Sequence, residues 1–324
     1  MSKTIVAKLL TRNDTAANWT SANPILSKGE IGLETDTNKL KFGDGITAWN
    51  SLNYLDAEHK KTVRLVVGTS TSGWTEKDCD YLCDGTADQT EINAAITALP
   101  ATGGEIVILD GTYNITAKIN VAKDNVSIVG NGNATILKRM YDSSTGEGVI
   151  TLTSRSGCKI ANLQVDGNKT SYTSSNNYGI YLGSSSNNTV TGNTCNNNSN
   201  DGIRLYSSSN NTVTGNTCNN TVTGIYLYSS SNNNTVTGNT CNNNSNYGIR
   251  LYSSSNNTVT GNTCIRGTGQ TSDYTSSQYT IQLGTTSNYN LISSNNCMGK
   301  AVVIGGGTGN SAWGNKFDDT DDLP

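Results

Sequence analysis

The chain has 324 residues, 22 of them basic and 25 acidic, for a net charge of −3, and only 34% are apolar. Charged residues are also few, at 15%, so the low-hydrophobicity, high-charge signature of disorder is missing, and the acidic balance excludes a chain-wide nucleic-acid surface. Asn, Ser, Thr and Gly fill the gap, and such a composition folds where its few apolar residues recur at a strict period.

No apolar run reaches the ~18 residues of a membrane span, so no membrane insertion is expected. The start is broken by Lys8, Arg12 and Asp14 and does not read as a secretory signal, which predicts synthesis and folding in a cytoplasm. Eight cysteines in so long a chain are expected as thiols, most of them buried, because five fall at repeat positions.

Residues 1–56 stand apart from the rest. Strand 30–34, a turn at 36–38, strand 39–42 and a Gly43-Asp44-Gly45 turn predict a small β module. Its two tryptophans, Trp19 and Trp49, are more than ~50 residues should bury alone, which predicts association with identical copies. The string Gly29-Glu30-Ile31-Gly32, Thr35-Asp36-Thr37, Lys41-Phe42-Gly43-Asp44-Gly45 and Thr47-Ala48-Trp49-Asn50 resembles the N-terminal domain of the major tropism determinant family of phage tail-fibre proteins. That resemblance implies a homotrimeric, virion-proximal piece of a tail fibre or tail spike, attached to the virion tail or baseplate through residues 1–56. Residues 57–83 show no usable period and are expected as a neck. Cys79 and Cys83 form a lone C-x3-C there, too little for a metal site.

Asp88-Gln89-Thr90-Glu91 reads as a capping box, followed by Ile92, Ala95, Ile96 and Leu99 at helical spacing up to Pro100. A helix over 88–99 is expected to cover the N-terminal opening of a solenoid. Asp84-Gly85-Thr86-Ala87-Asp88, then Leu109-Asp110-Gly111-Thr112-Tyr113 and Val126-Ser127-Ile128-Val129-Gly130, resemble the pectate-lyase-like superfamily of right-handed β-helices over about 84–317.

The repeat itself is direct. Asn-Thr-Val-Thr-Gly-Asn-Thr-Cys occurs at 188–195, 211–218, 234–241 and 257–264, so Cys195, Cys218, Cys241 and Cys264 are 23 residues apart. A Gly-Ile-x-Leu element keeps the same mean period from Gly179 to Gly248. Three short alternating strands per coil predict an all-β right-handed parallel β-helix with ~4.8 Å between coils, and inward columns of Ile180, Leu182, Val190, Cys195 and their successors. Asn193, Asn216, Asn239, Asn262 and Asn295 fall at one place in successive coils. They form either a self-satisfying amide ladder or a series of left-handed turn residues. The other asparagines are expected in turns. Beyond the coils, 318–324 form an acidic tail with Asp318, Asp319, Asp321 and Asp322.

Catalytic candidates are sparse. Glycoside hydrolysis needs two carboxylates ~5–9.5 Å apart, yet Asp201, Arg204 and Arg250 are the only charged residues over 171–264. Asp166 and Asp201 are expected in turns, the single His59 lies in the neck, and no calcium-type carboxylate cluster is evident. No catalytic residue, metal or cofactor is assigned. The middle residue of Ile-x-Leu must point outward, which makes a column of Tyr181, Arg204, Tyr226 and Arg250, flanked by Tyr206, Tyr228 and Tyr252. Three readings stay open: simple Tyr–Arg stacking, a trimer seam, or a sugar-binding platform. The sequence points to a structural and adhesive virion-tail protein that binds host-surface polysaccharide, without nucleic acid. The alternative is a polysaccharide depolymerase, either a lyase or a glycoside hydrolase.

Overall fold

A computed structural model describes residues 11–55, 63–265, 279–298 and 303–317. The chain divides into two compact units, 1–61 and 62–324.

The described residues of the first unit form a three-stranded sheet with one short α-helix. Arg12–Asp14 pairs in parallel with Ile31–Glu34, which pairs antiparallel with Leu40–Phe42. Thr15 caps the helix Ala16–Ala22 by accepting from the Asn18 amide, and Asn23 ends it in the left-handed region. The tryptophans do not call for a partner. Trp19 and Trp49 stack at 4.0 Å, and 3% and 1% of their surfaces remain exposed. Two details allow so small a module to bury both rings. A Cβ on Gly32 would come within 2.4 Å of the Trp49 ring, so only glycine lets the indole lie flat on the sheet. Lys41 Nζ, 4.8 Å from that ring's centre, donates to the Trp49 carbonyl at 2.7 Å. The expectation of copies driven together by two tryptophans therefore loses its physical basis.

The second unit is a parallel β-helix. Among the described residues, thirteen strands form one sheet, eight form a second, and a ladder through Thr194, Thr217, Thr240, Thr263 and Asn296 makes a third face. Val190, Val213, Val236 and Val259 stack in register on the first sheet, and Ile180, Ile203, Ile225, Ile249 and Ile281 on the second. All are buried, as are Cys195, Cys218, Cys241, Cys264 and Cys297, which are free thiols. Small, polarizable side chains suit so narrow an interior.

The β-helix starts earlier than the repeat predicts. Arg64–Thr69 pairs in parallel with Gly104–Ile108 and with Tyr81–Cys83, so much of the expected neck is built into the first turns of the solenoid. The sequence conceals this because the loop 70–80 separates two strands too short to show a period. Gln89–Ala98 forms the expected helix and buries Ile92, Ala95 and Ile96 against the first coils, covering apolar surface that an open end would expose. It has no capping box. Asp88 is already helical, and its carboxylate accepts instead from the amides of Gly85 (2.8 Å) and Asn114 (2.7 Å), pinning the helix to the first coil.

The corners of the coils explain the asparagines. The predicted ladder is present: Asn193, Asn216, Asn239 and Asn262 each donate through Nδ2 to the next Oδ1 at 2.9–3.0 Å, and Asn295 continues it to Asn315. A second ladder, not foreseen, runs through Asn188, Asn211, Asn234, Asn257, Asn290 and Asn310, with amide contacts of 3.1 Å. Both obey one rule. A residue in the left-handed region (Gly192 in one case, Asn187 in the other) turns the chain, and the asparagine after it points inward. Ser184 and Ser185 repeat the arrangement at another corner, with Ser208 Oγ accepting from the Ser185 amide.

Candidate functional site

The outward column assembles as predicted. Tyr181, Arg204, Tyr226 and Arg250 are register partners on consecutive strands of the second sheet, and Gln282 continues the line. Tyr206, Tyr228 and Tyr252 form a parallel column two residues on. Alternation across each strand puts both columns on the outer face. Tyr206 is 38% exposed, and the others are partly covered by one another.

The side chains interlock. The Arg204 guanidinium lies 4.7 Å from the Tyr178 ring, 5.0 Å from Tyr226 and 5.3 Å from Tyr228. Arg250 lies 4.4 Å from Tyr247 and 5.2 Å from both Tyr226 and Tyr252. Tyr206, Tyr228 and Tyr252 succeed one another at 5.6 and 5.8 Å. Tyrosine–arginine stacking, one of the three open readings, is present and fixes flat rings and planar cations in one layer.

Sequence reasoning missed a third column. Asp201, Thr223, Tyr247 and Tyr279 are register partners, and Tyr178 belongs to the same face of the preceding coil. Tyr247 and Tyr279 stack at 5.7 Å, nearly parallel. Tyr178, Asp201, Thr223 and Tyr247 each stand just before a Gly-Ile, outside the Gly-Ile-x-Leu element. Asp201 is not in a turn, as expected, but opens the strand Asp201–Tyr206, while Asp166 closes Lys159–Asp166. Asp201 is 1% exposed and accepts from Arg204 Nη1 at 3.0 Å. Burial pushes its carboxyl up to about 6 against the opposing pull of Arg204. Burial likewise holds the Tyr226 phenol up at about 12, against both arginines, so at neutral pH it is a hydrogen-bond donor and not a base.

Carboxylates elsewhere in the coils are engaged. Glu147 pairs with Lys118 at 2.5 Å, and Asp142 and Asp166 accept from neighbouring amides. Near the N-terminal end Cys83, Asp88 and Glu91 gather within 4.8 Å, a set of possible ligands that the C-x3-C spacing did not indicate. Both Asp88 oxygens accept from backbone amides and burial drives the Cys83 thiol strongly upward, so in this structure Asp88 serves to cap the first coil. Arg266, Asp273, Tyr274 and the acidic tail lie outside the described residues, and Trp313 is 61% exposed.

Residues 147–317 match the family described as right handed beta helix region, and residues 11–47 match the major tropism determinant N-terminal domain. A hyaluronoglucosaminidase of Streptococcus pyogenes phage H4489A is 40% identical over 55 residues, 17% of this chain and only 15% of that protein. Among solved structures, ORF18 of Geobacillus virus E2 aligns over 95% of this chain and 74% of its own, with 16% identity and a TM-score of 0.59. The enzymatically active domain of bacteriophage CBA120 tailspike protein 2 aligns over 94% and 52%, with 12% identity and a TM-score of 0.57. At such identities these structures establish the fold alone. With just over half its length matched, the chain belongs to the right-handed β-helix family, preceded here by a major-tropism-determinant-type N-terminal module.

Proposed function

We propose that this is an adhesive tail-fibre or tail-spike protein that holds a host-surface glycan on the tyrosine–arginine face of its β-helix. The observation that carries the reading is the layer of seven tyrosine and arginine side chains from Tyr181 to Tyr252, locked in register along four coils. Flat apolar rings pack against the faces of sugars, and the phenols and guanidiniums donate to hydroxyl groups. Because the rings are already ordered by one another, little side-chain entropy is lost on binding. Attachment to a virion tail through the N-terminal module, and assembly as a homotrimer, belong to the same proposal and rest on the family match of residues 11–47.

The depolymerase alternative draws on a tail-spike relative titled enzymatically active and on the phage hyaluronoglucosaminidase. On the proposed face it lacks partners. Asp201 is buried and ion-paired, and Tyr226 is held protonated. Hydrolysis would need a second carboxylate at ~5–9.5 Å, and base-initiated elimination needs a proton acceptor within reach of the sugar, whereas Asp201 is 1% exposed.

Replacing Tyr226 and Arg250 together by alanine tests the reading. Cell binding is expected to disappear while unfolding free energy falls by only about 1–2 kcal/mol, the scale of the lost cation–π contacts. Full binding by a folded double variant would remove this face from consideration. Reducing ends released from host polysaccharide by the intact protein would favour the depolymerase.

A further inference from the structure

The two arginines of the column are chemically unequal. Arg204 has a carboxylate of its own, Asp201, at 3.0 Å. Two coils on, the register position of Asp201 is taken by Tyr247. Arg250 therefore has three aromatic rings around it and, among the described residues, no acidic partner within ion-pair distance. Its Nε is buried without a hydrogen-bond partner. An unmet donor on a partly covered cation is costly to keep unless an acceptor completes it.

The geometry points to Arg250 as an anion subsite, so that the glycan held on this face is an acidic one, carrying a carboxylate or comparable anionic group on the sugar seated between Tyr226 and Tyr252. This deepens the adhesive reading and depends on it. A guanidinium presents a planar fork of N–H donors that matches a carboxylate two-on-two, and rings on its flanks exclude water that would weaken the pair. At Arg204 the charge is already paired with Asp201 through Nη1, so that position contributes a ring-stacked, neutralised platform and not a second anion site. The sugar bearing the charge is thereby placed toward the later coils, and neutral sugars toward Tyr181 and Tyr206.

The test is binding of the full chain to immobilised uronate-, sialate- and phosphate-bearing bacterial glycans, beside neutral glycans and carboxyl-reduced forms of the uronates. Wild type should prefer the anionic glycans, with binding that weakens as salt rises. Arg250→Gln should lose about ten- to a hundredfold on them, the range for a charge-assisted hydrogen bond, and change little on the reduced forms. Arg155→Gln, which removes a cation outside the platform, should bind as wild type. Binding confined to neutral glycans and lost in Tyr226→Ala would overturn the anion subsite while leaving the platform intact. Unchanged anionic binding by Arg250→Gln would also overturn it. Binding to no glycan in the panel would reject the subsite and the adhesive reading together.

Discussion

Asn216 Oδ1 accepts both the backbone amide and the side-chain Nδ2 of Asn193, while its own Nδ2 donates to Val190 O behind and Asn239 Oδ1 ahead. One side chain thus satisfies buried groups in two neighbouring coils. Asn216→Ala leaves those partners unmet inside the solenoid. It should cost about 1–3 kcal/mol in denaturant unfolding, the penalty of an orphaned buried polar group. The opening rung shows what that penalty looks like in place: Asn193 Oδ1 has no partner, because no asparagine precedes it in register. Asp201 makes a second prediction at this scale. Its carboxyl is raised to about 6 from an ordinary 3.8, chiefly by burial. Between those values the folded chain keeps a proton that the unfolded chain has lost, so this group's contribution to stability falls as pH rises from about 4 to about 6. Asp201→Asn should remove that slope. Unfolding midpoints of both proteins at several pH values in the window check it, and parallel curves would refute it.

At the scale of the coil, stacking distance is set by backbone approach. A Cβ on Gly224 would sit 2.5 Å from the Gly248 carbonyl, and one on Gly248 would sit 2.5 Å from Thr280 O. Backbone cannot retreat here without opening the sheet. Gly224→Ala should therefore lower thermal stability more than an alanine at the partly exposed Thr237, and calorimetry of the two variants measures the difference. The helix Gln89–Ala98 acts at the other end of the same problem, since Ile92 and Ile96 close the apolar interior. Ile96→Ala should cost about 2–5 kcal/mol, as for other large-to-small core changes. The coils were legible in the sequence because identical strings recur at a fixed interval, which fixes register outright. The corner doublets were only half legible. Gly192-Asn193 and Asn187-Asn188 do the same work, but a composition so rich in asparagine hid the second ladder among turn residues. Strands 64–69 and 81–83 were not legible, because nothing in their sequence repeats.

For the molecule as a whole, the column Tyr181–Arg204–Tyr226–Arg250 was readable from the outward position of Ile-x-Leu, whereas Tyr178, Tyr247 and Tyr279 needed the third dimension to join it. The reason is geometric: a residue just outside a recognised motif declares its neighbours only once coils are stacked. Assembly is a separate question, since the tryptophans that would motivate a trimer are satisfied within one chain. Light scattering should return about three times the 34.2 kDa chain mass, and a single-chain mass at micromolar concentration would refute the trimer. The most direct test of the central claim is a crystal structure of the chain soaked with oligosaccharides from the host's surface polysaccharide. Sugar rings lying across Tyr206, Tyr226 and Tyr228, with an anionic group on Arg250, are the predicted result. Sugar bound on another face, or this face buried between subunits, would contradict it.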